Sequence, residues 1–279
     1  MRERLGTILH CNIFINRLAM TTSVLYKYLD VEGGLKMLKC HNLQFTNASR
    51  LNDPFDCHPG LINFSNVPEA KCKIWPPDII KLLESFPYKR NWENAWICSL
   101  SKVNDALLMW SYYGNHNGVC IGINMEKADK YLSQIWHGNY IGVHKLEVQY
   151  KDIVKKPDYF HDIDNGRFFD YQLGTKAKAW EHEQEVRLLM SEPYPGLTPC
   201  EFRPKTKNRK RNSDIKDLRF YPQIGRECFC SLYIGINTPE DKQKEILKVA
   251  RLLNSDMNIY KMTVDPDAFR LKPQSIDFD

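Results

Sequence analysis

Runs of apolar and β-branched residues, separated by turn-forming segments, predict short β-strands along most of the chain. The segment 43–49 (LQFTNAS) alternates apolar and polar residues, as a strand with one buried face does. Strands are predicted at 23–30, 43–49, 95–101, 119–125, 145–152, 185–190, 228–237 and 258–265, and the last fifteen residues as a sheet edge or a tail.

Helical periodicity is weaker and lies between the strands. Helices are predicted from Gly33 to about Asn42, at 104–114, at 160–180 and at 239–254, with a loop and a helix in an insert at 60–95. The 239–254 helix is amphipathic and has Pro239 in its first turn. Strands and helices follow no regular βαβ order, which predicts one α+β domain over 23–279 after an N-terminal extension at 1–22.

Composition and charge limit the classes of protein that this sequence can represent. Hydrophobic residues make up 43% of the chain and aromatic residues 12%, enough for a substantial core. The net charge of +5 permits an anionic partner but does not by itself predict nucleic-acid binding. The run 203–212 (RPKTKNRKRN) has six basic residues and no acid, so it is either a solvated loop or a loop that contacts phosphates.

The nine cysteines form no CxxC pair and show no zinc-finger spacing, so no metal site is predicted. Their odd number and scattered positions are typical of a reducing compartment, and we expect a cytoplasmic protein. Polar residues interrupt the apolar run near the N-terminus, so neither a signal peptide nor a membrane span is predicted there.

The segment 176–190 (KAKAWEHEQEVRLLM) carries the main candidate chemistry. If 183–190 is a strand, Glu183, Glu185 and Arg187 lie on one face, and the two acids are about 6–7 Å apart. One carboxylate could stabilise an oxocarbenium-like transition state while the other orients a nucleophile, with Arg187 keeping both ionised. The alternative is a solvated strand face with a surface ion pair.

Three further motifs allow both structural and functional interpretations. Asn52, Asp53 and Asp56 lie on an Asn-Asp-Pro turn, which such residues form without any function. Ser99 and Ser101 share one strand face, and the following helix carries aromatic rings. Those rings, Trp110, Tyr112 and Tyr113, suit either a core or a slot for a flat heteroaromatic group.

In this order, the motifs LYKYL, LNDPFD, ICSLS, LLMWSYYG and WEHEQEVRLL resemble a widespread bacterial family of domains of uncharacterised function, over about residues 24–190. That family is in turn distantly similar to ADP-ribosyltransferases, including the DNA- and RNA-modifying enzymes of bacterial toxins and phage-defence systems. The resemblance implies an α+β fold in which two small, mostly antiparallel sheets form a cleft with flanking helices. It also implies NAD as co-substrate.

The resemblance further implies roles for particular residues. Glu185 corresponds to the catalytic acid that holds the ribose 2′-hydroxyl, and Glu183 to the acid that positions the acceptor. The residues expected to contact NAD are Tyr26, Lys27, Tyr28, Asn52, Asp53, Ser99, Ser101, Trp110 and Tyr113. Those expected to contact an RNA or DNA acceptor are Arg187, Arg209, Lys210 and Arg211. An antitoxin or immunity protein is an expected partner of such an enzyme.

Two other functions fit the sequence. One is a metal-dependent nuclease or hydrolase with Asp53, Asp56, Glu183 and Glu185 around Mg²⁺. The other is a non-catalytic module that binds nucleic acid or protein, for example within a toxin–antitoxin pair; its binding would fall steeply with salt.

Overall fold

The predicted strands are present in the computed structural model, which describes residues 23–63, 65–73, 77, 93–137, 140–162, 168–191 and 218–276. The strands are β1 Val24–Leu29, β2 Phe45–Asn47, β3 Ala95–Ser101, β4 Val119–Asn124, β5 Trp136–His137, β6 Tyr140–Ile141, β7 His144–Glu147, β8 Gln149–Lys151, β9 Thr175–Ala177, β10 Glu185–Ser191, β11 Arg219–Phe220, β12 Phe229–Ile234, β13 Asn258–Val264 and β14 Leu271–Ser275. The prediction at 145–152 becomes two strands, and β14 confirms an edge strand near the end of the chain.

The helices are α1 Val31–Cys40, α2 Glu69–Cys72, α3 Leu107–Gly114, α4 Met125–Leu132, α5 Phe168–Gly174 and α6 Glu240–Leu253. The predictions of α1, α3 and α6 are confirmed. Asp30 caps α1 because its carboxylate accepts a hydrogen bond from the amide of Gly33. None of the helices in the described ranges has the length and apolar content that a membrane span requires.

The prediction of one helix over 160–180 is wrong. Among the described residues of this range, 160–162 and 168–180, only α5 is an α-helix, and the chain continues as β9 and a 3₁₀ segment, Lys178–Glu183. A Cβ atom at Gly174 would lie 2.7 Å from the side chain of Leu146, so the backbone approaches β7 very closely. After Gly174 the chain pairs in parallel with β8 as β9, where the prediction had further helical turns.

Helix α4 is absent from the predictions although the sequence contains its signals. Asn124 caps it by accepting a hydrogen bond from the amide of Lys127 at 3.0 Å. Its buried residues, Met125, Ala128 and Leu132, have helical spacing. The prediction extended the preceding strand into this segment and so missed the cap.

The strands form one ten-stranded mixed sheet, with two further two-stranded sheets, β5–β6 and β8–β9. The large sheet has two halves. The first half-sheet has the order β1-β4-β12-β13-β14, and the second has the order β7-β10-β3-β2-β11. A single residue pair, Tyr26 with Ser101, joins β1 to β3. We call this junction the seam.

The expected two small sheets are therefore one continuous sheet, because strand pairing persists across the seam at one position. The expected antiparallel character is largely confirmed. Among the paired strands of the described residues, only β12–β13 and β8–β9 are parallel. The fold is mixed α/β, with helices on the faces of a large sheet.

The two faces of this sheet have different cores. On one face, the main core is continuous across both half-sheets and includes residues of α1, α4 and α6. On the opposite face, which we call the divided face, two smaller clusters lie apart. One contains Tyr28 and Trp110 over the first half-sheet, and the other contains Ile97 and Leu189 over the second. The seam lies between these two clusters.

Candidate active site

A cleft opens at the seam, where β1 and β3 separate beyond the Tyr26–Ser101 pair. Residues of β1, β2, β3, α3 and the segment 176–185 line it. Its empty space is about 740 Å³ with the open mouth included. The loop after β2 closes one side through Asn52 and Asp56.

Lys27 bridges the two half-sheets. Its ammonium donates to the backbone carbonyl of Ser99 at 2.8 Å. The side chain of Lys27, instead of a strand amide, thus donates the hydrogen bond to this carbonyl of β3. The strands β1 and β3 can therefore diverge without leaving the carbonyl without a hydrogen bond. Both residues line the cleft.

Beneath the cleft lies a buried ionic cluster, which comprises Asp56, Lys176, Glu183, Glu185 and Arg187. Arg187 binds Glu185 through two nitrogens, Nε to Oε1 at 2.9 Å and Nη2 to Oε2 at 3.0 Å. Nη2 also donates to Asp56 at 2.6 Å, and Nη1 donates to the carbonyl of Leu173 at 2.6 Å. Arg187 is fully buried, so it anchors the acids from below. A nucleic acid cannot reach it there, which does not agree with the expectation that Arg187 contacts an RNA or DNA acceptor.

Lys176 connects the two glutamates. Its ammonium donates to Glu183 at 2.5 Å and to Glu185 at 3.2 Å, and it lies 3.7 Å from Asp56. Tyr113 of α3 donates its hydroxyl to the other oxygen of Glu183 at 2.6 Å. The two carboxylates therefore converge on one cation, with a phenol on the cleft side.

The backbone explains this convergence. Glu183 ends the 3₁₀ segment, so the prediction that it lies on the strand with Glu185 is wrong. Gln184 between them has a φ of 42°, in the left-handed region. The amide of Glu185 donates to the hydroxyl of Tyr150, and Ser101 donates to the carbonyl of Glu183. These bonds fix both acids at the seam.

The cluster is buried and contains charged groups of both signs. Its three carboxylates and two cations are each at most 7% exposed, and Lys27 adds a third cation to the lining of the cleft. The alternative of a solvated strand face is therefore excluded.

Burial tends to raise the pKa of Glu185, but Arg187 and Lys176 outweigh it and hold that pKa well below its ordinary range. Burial lowers the pKa of Lys176, and the surrounding carboxylates more than reverse this, so its pKa is raised. Burial, and next the charge of Glu183, raise the pKa of Tyr113. At neutral pH, Glu185 is thus ionised, and the phenol keeps its proton.

The structure brings most predicted site residues together. Those that line the cleft are Tyr26, Lys27, Tyr28, Asn52, Ser99, Ser101, Tyr113, Glu183 and Glu185. Two others lie elsewhere. Trp110 is 1% exposed within a core cluster and donates its indole N–H to the carbonyl of Asn104. Asp53 accepts from the amide of Phe55 within its turn. Arg209, Lys210 and Arg211 lie outside the described residues.

Sequence reasoning missed Lys176, the cation at the centre of the cluster. It lies seven residues before Glu183, in the segment predicted as helix, and no local pattern marks it. Asp56 was considered only as a turn residue or a metal ligand, whereas it pairs with Arg187.

The arrangement also bears on the nuclease hypothesis. Lys176 contacts all three carboxylates and so takes the position that a divalent ion would need. Within the described ranges, no group of three His, Cys, Asp or Glu side chains has metal-binding geometry. The carboxylates around Lys176 therefore fit a reaction without a metal ion better than a magnesium site.

Comparisons with known proteins agree with part of this picture. The model of the family described as "Protein of unknown function (DUF2971)" matches residues 109–188, from α3 to β10. Uncharacterized protein C577.11 of Schizosaccharomyces pombe is 27% identical over 141 residues, which is 48% of this chain and 52% of that protein. The chain thus matches about half the length of this curated relative. No solved structure matches the chain significantly. The resemblance to a family of uncharacterised domains is thereby supported over 109–188, a range that contains Tyr113, Lys176 and both glutamates.

Proposed function

We propose that the protein is an ADP-ribosyltransferase that transfers ADP-ribose from NAD to an acceptor in the cleft at the seam. One observation carries the proposal: two buried carboxylates, fixed on Lys176, face a cleft between two half-sheets. Breaking the glycosidic bond of NAD develops positive charge on the ribose. A fixed, ionised carboxylate beside the ribose stabilises such a transition state.

The proposed roles follow from the contacts. Glu185 is ionised and held at both oxygens, so it offers fixed negative charge and an acceptor for a ribose hydroxyl without reorganisation. Ser99, Tyr26 and Asn52 line the same cleft and supply polar contacts to NAD. NAD itself supplies an activated glycosidic bond.

The acceptor proposed from the sequence is RNA or DNA. Its support is the basic run 203–212, which would bind phosphates. A role as a bacterial toxin or phage-defence effector, neutralised by a partner protein, has the resemblance to ADP-ribosyltransferases as its support and belongs to the same proposal.

The test incubates the purified full chain with labelled NAD and, separately, with RNA, DNA and protein from a cell lysate. Label in one pool, with nicotinamide released, is the expected result. The variant Glu185→Gln should lose at least about 100-fold of this activity, because an interaction specific to the transition state is removed. Circular dichroism and thermal unfolding establish that the variant is folded.

The matched control is Glu181→Gln, an exposed acid in the same segment, which should keep full activity. A folded Glu185→Gln variant with full activity would contradict the assignment. If the unchanged chain labels no pool and releases no nicotinamide, the transferase proposal fails. Salt-dependent binding to the same pools would then favour a binding module.

A further inference from the structure

The two glutamates of the cluster are not equivalent. Glu185 receives three hydrogen bonds, two from Arg187 and one from Lys176. Glu183 receives two, one from Lys176 and one from Tyr113. A carboxylate accepts about four such bonds. Both glutamates therefore keep capacity for a further donor, but Arg187 fixes Glu185 through both of its oxygens, whereas Tyr113 holds one oxygen of Glu183.

The donors differ in kind as well as in number. Both donors of Arg187 are permanently protonated, so they fix Glu185 and cannot relay a proton from it. Tyr113 is a phenol, whose oxygen can accept one proton while it gives up another. Its side chain is 36% exposed and lines the cleft, whereas Glu183 is 3% exposed. The phenol is thus the accessible end of the Tyr113–Glu183 pair.

We propose that Tyr113 and Glu183 act together as the base that removes a proton from the acceptor. This inference rests on the proposed function and assigns Glu183 to the acceptor side of the reaction, with Glu185 as a fixed electrostatic group. Tyr113 is a catalytic residue under this proposal, because its oxygen touches the attacking atom.

The step balances without a further reactant. The acceptor's O–H or N–H proton passes to the oxygen of Tyr113, and the phenolic proton passes to Oε1 of Glu183. The acceptor atom forms a bond to the anomeric carbon of the nicotinamide-bearing ribose. The bond from that carbon to the ring nitrogen breaks, and its electron pair neutralises the positive charge of the nicotinamide, which leaves.

The same geometry specifies the chemistry of the acceptor. A base is useful only for a nucleophile that carries a proton, such as a hydroxyl or a base nitrogen of a nucleic acid. A terminal phosphate is already an anion and needs no such pair. The site therefore fits an acceptor that attacks through a protonated oxygen or nitrogen.

The test compares the full chain with Tyr113→Phe, which keeps the ring and removes only the hydroxyl. Each protein receives NAD and the macromolecular pool labelled by the unchanged chain, with and without sodium azide, and nicotinamide release is measured. Without azide, the variant should fall about 10²- to 10⁴-fold. Azide is an anionic nucleophile that carries no proton, so it should restore release in the variant to within about tenfold of the unchanged chain.

Tyr112→Phe is the matched control, an identical change at the neighbouring tyrosine, whose side chain is 61% exposed; it should have no effect. Glu183→Gln should show the same azide rescue as Tyr113→Phe. If Tyr113→Phe keeps full activity, or if azide restores neither variant, the proton-transfer pair is wrong while the transferase stands. If the unchanged chain releases no nicotinamide under any condition, the proposed function fails, and this inference falls with it.

Discussion

The main core and the divided face of the ten-stranded sheet differ in what holds them together. On the core face, apolar side chains from both half-sheets and three helices form one cluster. On the divided face, two apolar clusters leave a gap at the seam, and the gap holds five charged groups. Neighbouring residues of β10 illustrate the contrast, because Val186 belongs to the main core and Arg187 to the ionic cluster.

The difference teaches where stability and chemistry reside. Burial of apolar area is non-directional and stabilises wherever packing is close. A buried ionic cluster must first offset the desolvation of every charge, so it is weak evidence for stability. Fixed charges in a low-dielectric cleft are instead effective in stabilising charge that develops during a reaction. We therefore expect the core face to carry the fold and the divided face to carry function.

Breaking the ionic cluster should have the largest effect. Arg187→Met keeps the volume roughly but removes the guanidinium that Glu185 and Asp56 share, so that Lys176 alone remains of the two cations in the cluster. Removing one partner of a buried ion pair costs about 3–5 kcal/mol, and we expect a loss of this size in the free energy of unfolding, measured by urea denaturation.

The control for that variant is Lys36→Ala, which removes an exposed cation paired with Glu32 within α1. Such surface pairs contribute less than about 0.5 kcal/mol. Similar losses in the two variants would show that the buried cluster is no more important for stability than a surface pair.

The matched change on the core face should have a smaller effect on stability. Val186→Ala removes two methyl groups from a fully buried side chain, which costs about 2 kcal/mol with the cavity included. Because Val186 packs in the main core and is not among the residues that line the cleft, nicotinamide release per folded molecule should stay unchanged. A catalytic loss in folded Val186→Ala protein would contradict the separation of the two faces.

Acid should weaken the divided face gradually. The pKa of Glu185 is lower in the folded chain than its ordinary value of 4.5, because Arg187 and Lys176 outweigh the opposing effect of burial. The unfolded chain thus takes up this proton first. The stabilisation is complete above about pH 4.5 and is lost as pH falls through the folded pKa, with a slope of at most about 1.4 kcal/mol per pH unit.

Urea denaturation between about pH 7 and about pH 3 measures this slope. In Glu185→Gln, which has no proton to take up at this position, the free energy of unfolding should fall less steeply with acid. Equal slopes in the variant and the unchanged chain would show that Glu185 is not held ionised by the cluster.

Most strands and helices were predictable because the patterns that mark them lie within the segments themselves. Strands β1, β3, β4, β10, β12 and β13 follow apolar runs, and α6 follows an amphipathic period. The failures also have physical causes. At 175–177, where a helix was predicted, the chain pairs with β8 as strand β9, and such a contact between distant segments has no local signal. The Asn124 cap started α4 where the prediction extended a strand.

The candidate site was predictable only in part. Glu183 and Glu185 were identified from their spacing on an assumed strand, but a left-handed residue, Gln184, and a 3₁₀ segment bring them together. The ring of Trp110 suited a slot for a flat group, but it packs against Tyr28 and lies in a core cluster. Aromatic residues look alike in sequence whether they line a cleft or fill a core.

The sequence by itself determined the mixed α/β elements, the chain positions of two acids and an arginine, and the hydroxyl-bearing strand β3. It did so because hydrophobic periodicity and turn chemistry act between near neighbours. Only the tertiary structure decided that Lys176 lies between the acids and that a seam opens a cleft above them. It also decided that Arg187 binds both Asp56, which is 131 residues away in the chain, and Glu185, which is 2 residues away. Contacts between residues so distant in the chain depend on how the strands pair, and no local pattern encodes that pairing.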